Sequence, residues 1–105
     1  MSIAYLNGKF LPREEACIPV MDRGFLFGDG VYEVIPVYGG RLFRLEHHLQ
    51  RLAGSLDAIR IGNPMRNAGW QDLLEQLVER NGGGDCSIYL QVTRGVAPKR
   101  DHAFP

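Results

Sequence analysis

The sequence predicts an α+β fold in which antiparallel strands pack with two helices, and three observations carry that expectation. Apolar residues alternate in short runs near the start, the middle and the end of the chain, the period of a strand with one covered face. Two longer stretches between them repeat apolar residues at spacings of three and four, the period of a helix with one apolar stripe. The strands and helices come in blocks rather than in βαβ alternation, which separates α+β from a parallel α/β sheet. A chain of 105 residues is the size of one domain, expected to span 1–105.

The first element is a hairpin. Residues 3–6 and 9–12 flank Asn7-Gly8, a two-residue loop whose two positions both need positive φ. Residues 13–30 read as irregular, and the stretch from Asp22 to Gly30 holds three glycines, Gly24, Gly28 and Gly30. Such a density marks a backbone that turns tightly or is closely approached. Residues 31–38 read as a strand with Val31, Glu33, Ile35 and Val37 on one face and Tyr32, Val34, Pro36 and Tyr38 on the other. Pro36 has no N–H for a ladder, so this strand is expected at an edge or bulged there. Gly39-Gly40 turns it into a second arm, Arg41 to Arg44. Helices are expected over 45–60, with the stripe Leu45, Leu49, Leu52, Leu56 and Ile59, and over 68–80, with Trp70, Leu73, Leu74, Leu77 and Val78. Asn81 and three glycines stop the second helix. Residues 86–93 return to a strand with Cys86, Ile88, Leu90 and Val92 inward, and 94–105 is a loop.

Composition narrows the function classes. Twelve basic residues balance twelve acidic ones, for zero net charge, so there is no electrostatic case for nucleic acid or an anionic membrane. No apolar run has the length of a membrane span. The opening residues show neither a basic n-region nor an apolar stretch, so a cytoplasmic location is expected. Cys17 and Cys86 are not at a metal-ligand spacing and read as two buried thiols.

Three places have side chains suited to chemistry, each with a plainer reading beside it. Gly28-Asp29-Gly30 leads into Tyr32, which on pattern is either a half-buried sheet residue or a ligand contact. Arg44, His47, His48 and Arg51 crowd the start of the first long helix against one acid, Glu46. Cations there oppose the helix dipole. A bound anion would account for them, and arginine's planar fork suits phosphate; a solvated face would also account for them. Arg100 and His102, one residue apart in a loop, either converge on a carboxylate or face water.

Together these places resemble one family. The string from Asp22 to Val34 resembles the opening of the class IV (fold type IV) pyridoxal-phosphate aminotransferases, His48-Leu49-Gln50-Arg51-Leu52 resembles the helix that follows, and Tyr89 to Gly95 resembles the next strand. Order and spacing agree from Tyr5 to Pro105. Within the family, Arg100-Asp101-His102-Ala103-Phe104-Pro105 after Thr93-Arg94-Gly95 resembles the D-amino-acid branch. The resemblance implies a D-amino-acid transaminase moving an amino group from a D-alanine-like donor to a 2-oxo acid. It implies Arg100 and His102 on the substrate α-carboxylate, Tyr32 on substrate and Arg51 on the phosphate of the cofactor, pyridoxal 5'-phosphate. It also implies a homodimer, because in the family the arginine-histidine loop reaches the other subunit's active site.

The departure from the family is the lysine. The chain has two, Lys9 and Lys99, and neither matches the residue that carries the cofactor, which in the family belongs to a second, larger domain. The chain is therefore expected to be the N-terminal small domain of such an enzyme and inactive by itself. Alternatives within the family are a branched-chain L-amino-acid aminotransferase and an aminodeoxychorismate lyase; outside it, a non-catalytic dimerising domain.

Overall fold

A computed structural model describes residues 2–104; Met1 and Pro105, the last residue of the Arg100–Pro105 match, lie outside the described residues. In order, the chain forms β1 (Ile3–Leu6), β2 (Lys9–Pro12), a 3-10 turn (Arg13–Glu15), α1 (Arg23–Phe27), β3 (Gly30–Tyr38), β4 (Arg41–Leu42), α2 (Leu45–Ala58), α3 (Asn67–Arg80) and β5 (Cys86–Thr93). The α+β expectation holds.

The β1–β2 hairpin pairs Leu6 with Lys9 across its loop, and Asn7 and Gly8 take φ values of 48° and 97°, as the two-residue loop requires. The other sheet is antiparallel in the order β4-β3-β5. β3 and β5 pair without interruption from Gly30 opposite Thr93 to Val37 opposite Cys86. That register puts Ile35 beside Ile88 and Glu33 beside Leu90 on one face. Both helices cover this face, α2 against β3 and α3 against α2 and β1.

The core between these layers is Ile35, Val37, Leu49, Leu52, Leu56, Trp70, Leu73, Leu74, Val78, Ile88 and Leu90. It joins the strand and helix stripes read from the sequence. Trp70 is held at its polar edge, where its indole N–H donates to Asn63 Oδ1 at 2.9 Å. At the end of α3, Asn81 binds the main chain of Ile3 in both directions, accepting at 2.9 Å and donating at 3.0 Å, which fastens the hairpin to the helix layer. The opposite sheet face is open: Tyr32, Val34, Tyr38 and Tyr89 are all exposed. No helix among the described residues is long and apolar enough to cross a membrane.

The structure differs from expectation in four places. Residues 13–30 are not all irregular, because the 3-10 turn and α1 occupy part of them. α1 is held by its ends: Asp22 accepts from the Gly24 N–H at 2.8 Å, and Gly28 closes it in the left-handed region at φ 63°. β3 is central rather than an edge and carries no bulge, but β4 covers it only at Val37 and Tyr38. Pro36 sits where that cover ends, and its carbonyl accepts from Phe43 N–H at 2.8 Å. The second hairpin arm stops at Leu42 and α2 at Ala58. Both thiols are exposed rather than buried; Cys17 lies in the irregular run before α1, and Cys86, although inward by parity, is the first residue of β5, where the glycine turn leaves it uncovered.

Candidate functional site

The glycine-rich segment packs against the end of β5. Gly24 lies so close to Thr93 that a Cβ there would sit 2.2 Å from Thr93 Cγ2, so a larger residue must push against the Thr93 side chain. This close approach brings Asp29 between two arginines. Asp29 Oδ2 accepts from Arg23 Nε and from Arg94 Nε, both at 2.8 Å. The carboxylate side chain is 9% exposed and Arg23 only 3%. The hydrogen bond from Arg94 holds the Asp29 carboxyl below the usual carboxylate value of 3.8; burial opposes this, and Arg23 adds to the lowering by its own hydrogen bond and charge.

Each arginine has donors left over. Arg94 Nη2 donates to the Ile59 carbonyl at 2.7 Å, tying the end of β5 to the chain leaving α2. Arg23 Nη1 donates to the Asp101 carbonyl and Nη2 to the His102 carbonyl, the latter at 3.2 Å. The aromatic side chains complete the cluster. His102 packs on Phe27 with ring centroids 4.6 Å apart, the Arg100 guanidinium lies 4.9 Å from the same ring, and Arg94 lies 4.2 Å from the Phe104 ring. The structure thus brings Arg100 and His102 to one short helix. Both remain exposed, with the donors that could meet a carboxylate.

Arg51 and Tyr32 lie elsewhere. Tyr32 is on the open face of β3, 63% exposed, with its ring stacked on Tyr89 at 5.5 Å. Arg51 belongs to the helix side, where buried Glu33 faces it: its Nε is 3.5 Å from Glu33 Oε2, and His48 Nδ1 is 2.8 Å from Oε1. Tyr32 and Arg51 are therefore on opposite faces of the sheet. Glu33 also accounts for part of the cation-rich helix start, since His48 and Arg51 meet an acid supplied by β3, while Arg44 and His47 are exposed. The Arg51 side chain is 62% exposed, so its remaining donors suit a phosphate. Lys9 and Lys99 are both exposed, on the hairpin and in the terminal loop. A phosphate contact fits this chain, and the lysine attachment does not.

Sequence pattern assigns no role to Arg23, Phe27, Asp29, Glu33 or Arg94. A helix too short for periodicity hides Arg23 and Phe27. Asp22 and Gly28, a capping side chain and a helix-ending glycine at one-helix spacing, are the signal for it.

The model of the class IV amino-transferases matches residues 30–104, and the chain belongs to that family. Among its relatives, the D-alanine aminotransferase of Bacillus licheniformis is 45% identical over 94 residues, covering 90% of this chain and 33% of the relative. That of Listeria monocytogenes serotype 1/2a (strain 10403S) is 41% identical over 100 residues, covering 95% of this chain and 35% of the relative. A T.th. branched-chain amino acid aminotransferase, in a crystal structure with N-(5'-phosphopyridoxyl)-L-glutamate, superposes with a TM-score of 0.83 at 28% identity, covering 90% of this chain and 33% of that one. The chain spans about a third of the length of the relatives it matches.

Proposed function

We propose that this chain is the N-terminal domain of a D-amino-acid transaminase that moves an amino group from a D-alanine-like donor to a 2-oxo acid. The observation that carries the reading is the likeness to D-alanine aminotransferases along nearly the whole chain; the branched-chain neighbour shares the fold at lower identity. In this reading Arg100 and His102 hold the substrate α-carboxylate, Arg100 through its planar pair of donors. Tyr32 contacts substrate from the open sheet face. Arg51, steadied at its Nε by Glu33, offers its outer donors to the phosphate of pyridoxal phosphate. When bound, that group supplies an electron sink for the charge left at Cα as its proton departs. This chain's share is orientation: fixing the carboxylate fixes which face of Cα meets the base, and so D against L. The base, the cofactor-bearing lysine, is assigned to the part of the enzyme outside this sequence.

A homodimer belongs to the same proposal. Ile18, Val20, Phe25 and Val96 are large, apolar and exposed around α1 and the start of the loop, a surface suited to burial in an assembly. A cytoplasmic location is also part of it.

The deciding experiment is a donor screen on the full-length enzyme with 2-oxoglutarate. D-alanine is expected to exceed L-leucine in kcat/KM by about 100-fold or more, a difference of ~2.7 kcal/mol in the transition state. Preference for L-leucine would assign the chain to the branched-chain branch instead.

A further inference from the structure

We propose that Arg23 and Phe27 are positioning residues for the Arg100–His102 segment: Arg23, locked by Asp29, clamps the main chain of that segment, and the Phe27 ring backs its two functional side chains. The inference rests on the reading of Arg100 and His102 as carboxylate ligands, and it explains how a loop bearing them keeps a defined shape.

Residues 98–104 form neither helix nor strand, so no repeating ladder fixes their carbonyls. Arg23 supplies what a ladder would. It starts α1, and its main-chain N–H donates to the Gly95 carbonyl at 2.8 Å, so its position is tied to the same loop it serves. Its Nε is spent on Asp29 at 2.8 Å. With that corner fixed, the rigid plane of the guanidinium aims both terminal nitrogens at consecutive carbonyls, those of Asp101 and His102. The residue is 2% exposed, so water does not compete for these donors. Arg94 Nε donates to the same Asp29 oxygen at 2.8 Å, a second anchor on the group that holds Arg23.

Phe27, four residues on in the same helix, presents its ring to His102 at 4.6 Å and to Arg100 at 4.9 Å. A cation over an aromatic face and a ring against a ring both narrow side-chain freedom without consuming a hydrogen-bond donor. The donors of Arg100 and His102 therefore stay available while their carbon frames are held. A less ordered pair would lose conformational freedom on capturing a carboxylate, and would bind it more weakly.

The test uses the full-length holoenzyme with Arg23→Lys, Phe27→Leu and Arg100→Ala. Arg23→Lys keeps a cation against Asp29 and loses the fork; Phe27→Leu keeps the Arg23–Asp29–Arg94 ion pairs and loses the ring. Three readouts are taken: KM and kcat for D-alanine, the inhibition constant of propionate as a carboxylate probe, and amide exchange of residues 101–104. Arg23→Lys and Phe27→Leu are each expected to raise KM and the propionate constant about tenfold with kcat changed less than about threefold. Amide exchange of 101–104 should quicken in Arg23→Lys. If Arg100→Ala weakens propionate while both other variants bind it normally, the positioning role is overturned and the carboxylate reading stands. If Arg100→Ala leaves propionate binding unchanged, the carboxylate reading itself falls and this inference with it. If Arg23→Lys does not fold, Phe27→Leu decides by the same propionate criterion.

Discussion

The layer between α2, α3 and the sheet is buried and the cluster around Asp29 is partly so, and they are built from opposite materials. The first is apolar at its centre: Ile35, Leu52 and Val37 are fully enclosed with no polar atom in their side chains, and Glu33 is the acid at its margin. The second encloses a carboxylate between two guanidiniums, with aromatic rings over the cations. An apolar layer tolerates exchange of one hydrocarbon for another of similar volume. A buried ionic cluster does not, because removing one member strands the charge of the others. The apolar layer gives the domain its stability; the ionic cluster fixes one arrangement of two segments that no strand or helix connects.

Removing the centre of the cluster should therefore be the harshest single change. Asp29→Ala leaves Arg23 and Arg94 facing each other across a partly buried gap and is expected to cost about 3–5 kcal/mol in urea unfolding. The wild-type cluster should also be acid-sensitive in a defined direction. Because the Asp29 carboxyl is held below 3.8 in the folded chain, its contribution is full at pH values above 3.8. It fades as pH falls below that and is lost once pH passes the lowered native value. Asp29→Asn should lack this part of the pH dependence, and an unchanged acid profile would show that Asp29 is not the responsible group.

In the apolar layer, Leu52→Ala removes a fully buried side chain and is expected to cost about 2–5 kcal/mol, the range depending on how far α2 settles onto β3. A value below ~1 kcal/mol would mean that this layer is looser than its burial indicates.

The seam between the two regions is sharpened by Gly24. Gly24→Ala drives a methyl into Thr93 and is expected to cost about 1–3 kcal/mol. Thr93→Ser removes the Cγ2 atom that the new methyl meets and retains the hydroxyl that accepts from Gly95 N–H at 3.1 Å. The double variant should recover about 0.5–1 kcal/mol relative to the sum of the singles. Strict additivity would place the strain elsewhere.

The contrast between the regions is also a contrast in legibility. Burial on a sheet or helix recurs with the period of the backbone, so Ile35, Val37, Leu49, Leu52, Leu56, Ile88 and Leu90 stand out in the sequence. An ion cluster has no period. Asp29 and Arg94 are 65 positions apart, and nothing local in either marks the other as its partner. Tyr32, Arg51, Arg100 and His102 are visible through family likeness and as unusual local chemistry, but their distribution over two sheet faces and a terminal loop depends on where β5 lands. Glu33 shows the limit most clearly. Alternation puts it on the face of Ile35 and Val37, yet the reason an acid is tolerated there lies on α2, where His48 and Arg51 meet it.

The chain contains one tryptophan, and the packing makes it a selective optical label. Trp70 is buried in the helix layer with its indole N–H fixed on Asn63, at a distance in sequence from the arginine cluster. Its emission follows the apolar layer, with the indole dry and blue-shifted while α3 stays docked and red-shifted once water reaches it. Fraying of the terminal loop leaves that environment untouched. Fluorescence and amide exchange therefore separate loss of the scaffold from loss of the loop that it carries, within one molecule and without an introduced probe.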